Sequence, residues 1–140
     1  MSDNPNLDWL MSDLVERSSG VRHAVLLSAD GLLMACSQDL HPEEAEHLSA
    51  VGSAYRSLST GTGRHFGLGE VRQTMVELEH AYLLVTEAGP QASLALIVNE
   101  DADFGLVAYE TNRIVQQAGT HLTSRLRASA GTGSSPAGTR

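Results

Sequence analysis

Two nearly unbroken apolar runs, Ala81 to Val85 and Ala92 to Val98, constrain this chain more than any other feature. A strand with water on one side alternates apolar and polar residues, whereas a strand covered on both sides reads as continuous. Gly89-Pro90 lies between the runs and marks a turn. The runs therefore read as two central strands of one sheet, and the rest of the chain must supply a layer for each face. Val71 to Leu78 is different: Arg72, Gln73, Thr74 and Glu77 are mixed with Val71, Met75 and Val76, the pattern of an edge strand.

The stretch from Pro42 to about Ser59 reads as an amphipathic helix that covers one face. Pro42 suits the first helical position, and Glu43, Glu44 and Glu46 put negative charge at the positive end of the helix dipole. Leu48, Val51, Tyr55 and Leu58 recur at three- and four-residue steps and predict the core-facing stripe. Off that stripe lie Ser49, Gly52, Ser53 and Arg56, small apart from the arginine, so that another backbone can come close. Gly52 costs about 1 kcal/mol relative to Ala in a helix interior, and it is either such a close approach or simply a tolerated glycine. A helix of about 18 residues is roughly 27 Å long and five strands span roughly 19 Å, so this helix can connect one sheet edge to the other.

The opposite face needs two further helices. Leu7, Leu10, Met11, Leu14 and Val15 form a stripe ending near Gly20, with Asn4-Pro5 as cap and first turn and Trp9 at the rim. Phe104, Val107, Thr111, Ile114, Ala118 and Leu122 form the stripe of a last helix that Asp101 or Asp103 can cap. Between the first two helices, His23 to Ser28 and Leu32 to Ser37 flank Ala29-Asp30-Gly31, and Asp-Gly between apolar runs signals a hairpin. The expected organisation is a flexible N-terminus over residues 1–6, one domain over 7–128, and a small, polar disordered tail over 129–140.

The charge balance and the missing residue types exclude several functions. The net charge is −8 and lysine is absent, which removes a Walker-type phosphate lysine and a Schiff-base lysine. An acidic surface also argues against nucleic acid or anionic lipid as the main partner. Cys36 is the only cysteine, and its place in Leu32-Leu33-Met34-Ala35-Cys36 is that of a small core residue. No run approaches the roughly 20 apolar residues of a membrane-spanning helix, and nothing at the N-terminus reads as a signal peptide, so a cytoplasmic protein without direct membrane insertion is expected.

Catalytic and metal patterns find no match. The six histidines include no i, i+4 pair, and Glu77 and Glu79 oppose no second acid or base. The glycine-rich segment GTGRHFGLG, expected as a loop from Gly61 to Gly69, fits neither phosphate-loop motif and follows a helix where the motif should follow a strand. Arg64 in that segment is either a solvated arginine or a finger reaching into a partner's nucleotide site. No cofactor or metal is implied. What remains is the edge strand, whose unpaired backbone groups need a cover or a partner. Pairing with its own copy would give a two-fold dimer with one continuous sheet.

The order of elements resembles the Roadblock family of dynein light-chain-like proteins, over roughly Leu7 to Leu126. The segments that carry the resemblance are VLLSADGLLMA, QTMVELEHAYLLVTEAG and LALIVNEDADFGLVAYETNRIV, above all the Asp30-Gly31 turn and Asp103 to Val107 at the start of the last helix. Within the family the chain looks like bacterial MglB-like members, particularly those of actinobacterial conservon-type clusters. The resemblance implies an α/β sandwich of order α-β-β-α-β-β-β-α, with a five-stranded antiparallel sheet in the order 2-1-5-4-3. The central helix lies on one face and the other two on the opposite face.

It also implies a homodimer built from the third strands and central helices, whose paired helices form a platform for a small Ras-like GTPase, in a system that includes a membrane sensor histidine kinase. By position, Ser49, Gly52, Ser53 and Arg56 would serve the dimer or platform, and Val71, Gln73 and Met75 the edge pairing. The family has no fixed arginine finger and implies a regulator without its own active site, recruited to the membrane, if at all, by partners. The competing expectations are a small-molecule sensing module and a scaffold for a sensor kinase that ignores nucleotide state.

Overall fold

The computed structural model describes the backbone of residues 5–133 and the side chains of residues 7–120. Its elements are α1 (Pro5–Arg17), β1 (Val21–Ser28), β2 (Leu33–Cys36), α2 (Pro42–His65), β3 (Gln73–Glu77), β4 (Ala81–Glu87), β5 (Ala92–Asn99) and α3 (Phe104–Gly133). All neighbouring strands are antiparallel, in the order β2-β1-β5-β4-β3. This is the architecture expected from the sequence. β5 lies in the middle, and its continuous apolar run is explained by cover on both faces.

Each face has its own core. Leu94, Leu96 and Val98 of β5 meet Leu7, Leu10, Met11 and Leu14 of α1 and Val107, Ile114 and Ala118 of α3. Ala95 points the other way, with Val25, Leu27, Leu83 and Val85, toward Ala45 and Leu48 of α2. The side chains of Leu10, Met11 and Leu14 are fully buried, and each burial stabilises the fold by about 1.5–3 kcal/mol. Trp9 is half exposed at the rim.

Local signals hold the turns. Gly31 has a φ of 86°, the left-handed value required at the Asp30-Gly31 turn. Asp103 caps α3, accepting a hydrogen bond from the Leu106 N–H on Oδ1 at 3.2 Å. α1 stops at Arg17 rather than near Gly20, because the Val21 N–H donates to the Ser18 carbonyl and closes a turn there. α3 runs past Ser129, where the tail was expected to begin, and ends at Gly133. Ala128 and Ala130 are strong helix formers, and residues 1–4 and 134–140 lie outside the described residues.

The largest departure concerns α2, which runs to His65 instead of about Ser59. Gly61 and Gly63 sit inside the helix, and the residue that ends it is Gly67, with φ at 64°. The Leu68 N–H donates to the Gly63 carbonyl at 2.8 Å and the Gly67 N–H to the Arg64 carbonyl at 3.3 Å. That pair of bonds is a Schellman motif with Gly67 in the left-handed position. The glycine-rich stretch is therefore about one and a half helical turns and a cap, followed by a short connection to β3.

Candidate interaction surface

α2 lies on the sheet through a face turned toward its small residues: Leu48 and Val51 of the expected stripe pack on the core, but its later members do not. Ala45, Leu48, Ser49 and Gly52 are buried, while Tyr55 is 36% and Leu58 70% exposed. A Cβ added at Gly52 would stand 3.1 Å from the Ala95 Cβ and 3.6 Å from Leu27 Cδ2, so the close neighbour of this glycine is the protein's own sheet. Ser49 Oγ donates to the Gly31 carbonyl at 3.0 Å, fastening the start of α2 to the β1–β2 turn. Ser59 Oγ and Thr74 Oγ1, 3.0 Å apart, fasten its later part to β3. Hydrogen-bonding groups cluster on this side because a serine can satisfy a backbone carbonyl where a leucine would leave it unpaired.

The assignment of Ser49 and Gly52 to a partner-facing surface is therefore corrected: both are covered from within the chain. Ser53 is half-buried beside Gly31, whose added Cβ would meet Ser53 Oγ at 2.8 Å. Arg56 is half-buried and Arg64 exposed, and both line a cleft of about 440 Å³. Val71 lines the same cleft and precedes β3, so it is not part of the edge strand proper. Gln73 and Met75 are exposed on β3, as an edge strand requires.

The two edges of the sheet are treated differently. On β2 and just past its end, the outward Cys36 N–H donates to Asp8 Oδ1 and the Gln38 N–H donates to Ser12 Oγ, each at 3.0 Å. Two α1 side chains one turn apart thus occupy the donors that another strand would use. β3 pairs with β4 on one side only, and among the described residues no strand or side chain seals its other side in this way. An open edge of this kind is a template for pairing with a further strand.

Exposed apolar groups gather beside that open edge. Of the ten large hydrophobic side chains that are exposed among the described residues, six fall between residues 55 and 78: Tyr55, Leu58, Phe66, Leu68, Met75 and Leu78. They belong to the second half of α2, the connection after it, and β3 with its following residue. Thr74 and Val76 face α2, so Met75 lies on the opposite face of the sheet with its neighbour Leu84, and the exposed apolar residues flank the unpaired edge from both faces. Sequence reasoning missed Tyr55 and Leu58 by placing them in the core. Phe66 and Leu68 were missed because the helix was ended too early, although Gly67 flanked by two apolar residues was the available signal.

Chemistry is sparse elsewhere. Among the described residues, no three His, Cys, Asp or Glu side chains come together as metal ligands, and no helix is long and apolar enough to cross a membrane. Burial, followed by the charge of nearby Asp8, pushes the Cys36 thiol above its ordinary value. That is the direction of an unreactive cysteine, in keeping with the core position expected for it.

Comparison with solved structures places this geometry among known folds. The chain is similar to a Roadblock/LC7 domain from Streptomyces avermitilis, with 39% identity and a TM-score of 0.79 over 83% of this chain and 97% of that one. It shares its fold with MglB of Myxococcus xanthus at 15% identity, with a TM-score of 0.78 over 88% of this chain and 99% of that one. It also shares it with an MglB in a tetrameric arrangement at 20% identity, with a TM-score of 0.70 over 80% and 84%. Residues 7–98 match the Roadblock/LC7 domain, and the chain belongs to that family.

Proposed function

We propose that the protein is a homodimeric regulator without chemistry of its own, in which two β3 edges pair and the adjoining α2 helices form a platform for a small Ras-like GTPase. The observation that carries this reading is the asymmetry of the sheet: one edge is sealed by Asp8 and Ser12, and the other is open beside Tyr55, Leu58 and Met75. Symmetric edge pairing joins two five-stranded sheets and buries the same patch on both copies. The tetrameric arrangement of a related MglB supports assembly as a property of this fold.

The partner-facing set follows from the burial pattern. Ser49 and Gly52 hold α2 to its own sheet, while the outward side of α2 offers acidic Glu43 and Glu46 early and Leu58 and Arg64 late. Arg56, half-buried between helix and loop, stands at the border of this surface. A regulator of this kind acts by binding the GTPase's nucleotide states with different affinity and so shifting its switch conformations. The protein works in the cytoplasm, reaching the membrane through a sensor histidine kinase complex.

The test is binding to a small GTPase encoded beside this gene, loaded with GDP or with a GTP analogue, followed by single-turnover hydrolysis. Unequal affinities are expected, with the complex weakened by Arg56→Glu while the dimer stays folded. Equal affinities would replace the regulator with a scaffold, since a partner that binds both states equally shifts nothing.

A further inference from the structure

Among the described residues, the arginines of this acidic chain divide into two groups. Arg17 pairs with Asp13, Arg113 with Asp13 and Glu110, and Arg22 hydrogen-bonds Asn99. Arg56, Arg64 and Arg72 have no side-chain hydrogen bond or ion pair among the described residues, although the chain carries 17 carboxylate side chains. Arg56 and Arg64 both belong to the second half of α2, and Arg72 follows the segment that returns from it toward β3.

Two of them face a single cavity. Arg56 and Arg64 line the cleft of about 440 Å³ together with Thr60, Gly63, Glu70 and Val71. The guanidiniums are not spent on capping the helix. The carbonyls of Thr62, Gly63 and Arg64 already accept from the N–H groups of Phe66, Leu68 and Gly67. The cleft is shaped by a contact that only glycine permits: a Cβ at Gly63 would lie 2.3 Å from the Gly69 carbonyl oxygen, so the returning chain is held against the helix. Thr60 adds to the same wall a hydroxyl without a hydrogen-bond partner among the described residues.

We propose that this cleft binds a small phosphate-bearing ligand, with Arg56 and Arg64 as its two charged ligands. Guanidinium presents planar pairs of N–H donors that match phosphate oxygens, and its bonds to them are roughly twice as strong as neutral ones. The site differs from the phosphate-loop motifs, which the glycine spacing did not fit, because side chains rather than a nest of backbone N–H groups carry the positive charge. Glu70 is the one carboxylate in the wall, and it limits affinity for an anion. The volume is that of an ordinary small-ligand cleft.

Isothermal titration of the full chain with pyrophosphate, and separately with orthophosphate, at an ionic strength fixed with sodium chloride and with no GTPase present, tests the proposal. One saturable site per chain is expected. Its affinity should fall at least tenfold in Arg56→Gln and in Arg64→Gln, stay unchanged in Arg17→Gln, and rise in Glu70→Gln. Binding of both probes assigns a single phosphoryl group, and binding of pyrophosphate alone assigns a diphosphate. Absence of saturable binding to either, or equal binding by all four variants, overturns the site. Arg64 is exposed, so Arg64→Gln keeps the fold and decides the matter even if Arg56→Gln does not.

Discussion

Replacing Gly52 by leucine separates a helix that rests on its own sheet from one that offers its small face to a partner. Leucine is the better helix former, and the exchange gains about 1 kcal/mol from propensity alone. On a free face that gain would be the main effect on stability. In this structure the first added carbon already stands 3.1 Å from the Ala95 Cβ, with Val85 Cγ2 and Leu27 Cδ2 next in line. Ala95 sits on the central strand, fully buried and paired on both sides with Val25 and Val85, so it cannot move away. Overpacking of this kind costs about 1–3 kcal/mol, and four added carbons put Gly52→Leu at the upper end. The net loss is about 2 kcal/mol, or roughly 8 °C in melting temperature for a chain of this size. Gly61 supplies the control: it lies in the same helix with nothing within 4 Å of an added Cβ, so Gly61→Ala should gain about 0.5–1 kcal/mol. Urea unfolding followed by circular dichroism, at one fixed protein concentration because assembly contributes to apparent stability, measures both. A Gly52→Leu protein as stable as the parent would refute the packing of α2 described here.

Three further outcomes are expected. Met75→Lys places a charge on the open edge and should give a folded monomer by sedimentation velocity; a dimer of unchanged strength would remove β3 from the interface. Asp8→Ala strips the Cys36 N–H of its charged acceptor and should cost about 1–2 kcal/mol, with new concentration-dependent association through the unsealed β2 edge in light scattering. The Cys36 thiol has its folded pKa raised above the unfolded value of 9.0. Its contribution to stability is therefore complete below pH 9 and declines as pH rises from there through the folded value. Cys36→Ser should abolish that part of the alkaline decline, and an unchanged pH profile of unfolding would count against it.

The strands were legible because their signals are local. Continuous apolar runs named β4 and β5 as central, a mixed run named β3 as edge, and Asp30-Gly31 named the hairpin, each from residues adjacent in sequence. The face of α2 was not legible in the same way. Both candidate stripes, Leu48–Val51–Tyr55–Leu58 and Ser49–Gly52–Ser53–Arg56, share helical spacing, and periodicity cannot say which of two adjacent stripes meets the sheet. Hydrophobicity favoured the larger residues. The sheet beneath took the boundary between the two stripes, Leu48 and Val51 from one and Ser49 and Gly52 from the other, because Ala95 at its centre and the Gly31 carbonyl at its edge let the helix come close and offer it a hydrogen bond.

The end of α2 was misplaced for a related reason. Glycine is a helix breaker only by about 1 kcal/mol, and contacts such as Ser59 with Thr74 keep the helix going through Gly61 and Gly63 until a glycine adopts a positive φ at Gly67. That error also hid the cleft of Arg56 and Arg64, which forms only where the lengthened helix meets the returning chain.

By itself the sequence determined the number and order of elements, the antiparallel sheet with both faces covered and, through its resemblance to known segments, the family. These follow from short-range periodicity and turn chemistry, which act over fewer than about ten residues. Only the tertiary structure decided which edge is sealed, which side of α2 is free and which arginines are left without a partner. Each of those depends on groups far apart in the chain: Asp8 on Cys36, Gly52 on Ala95 and Val71 on Arg56. Their energies exist only once the sheet has brought them together.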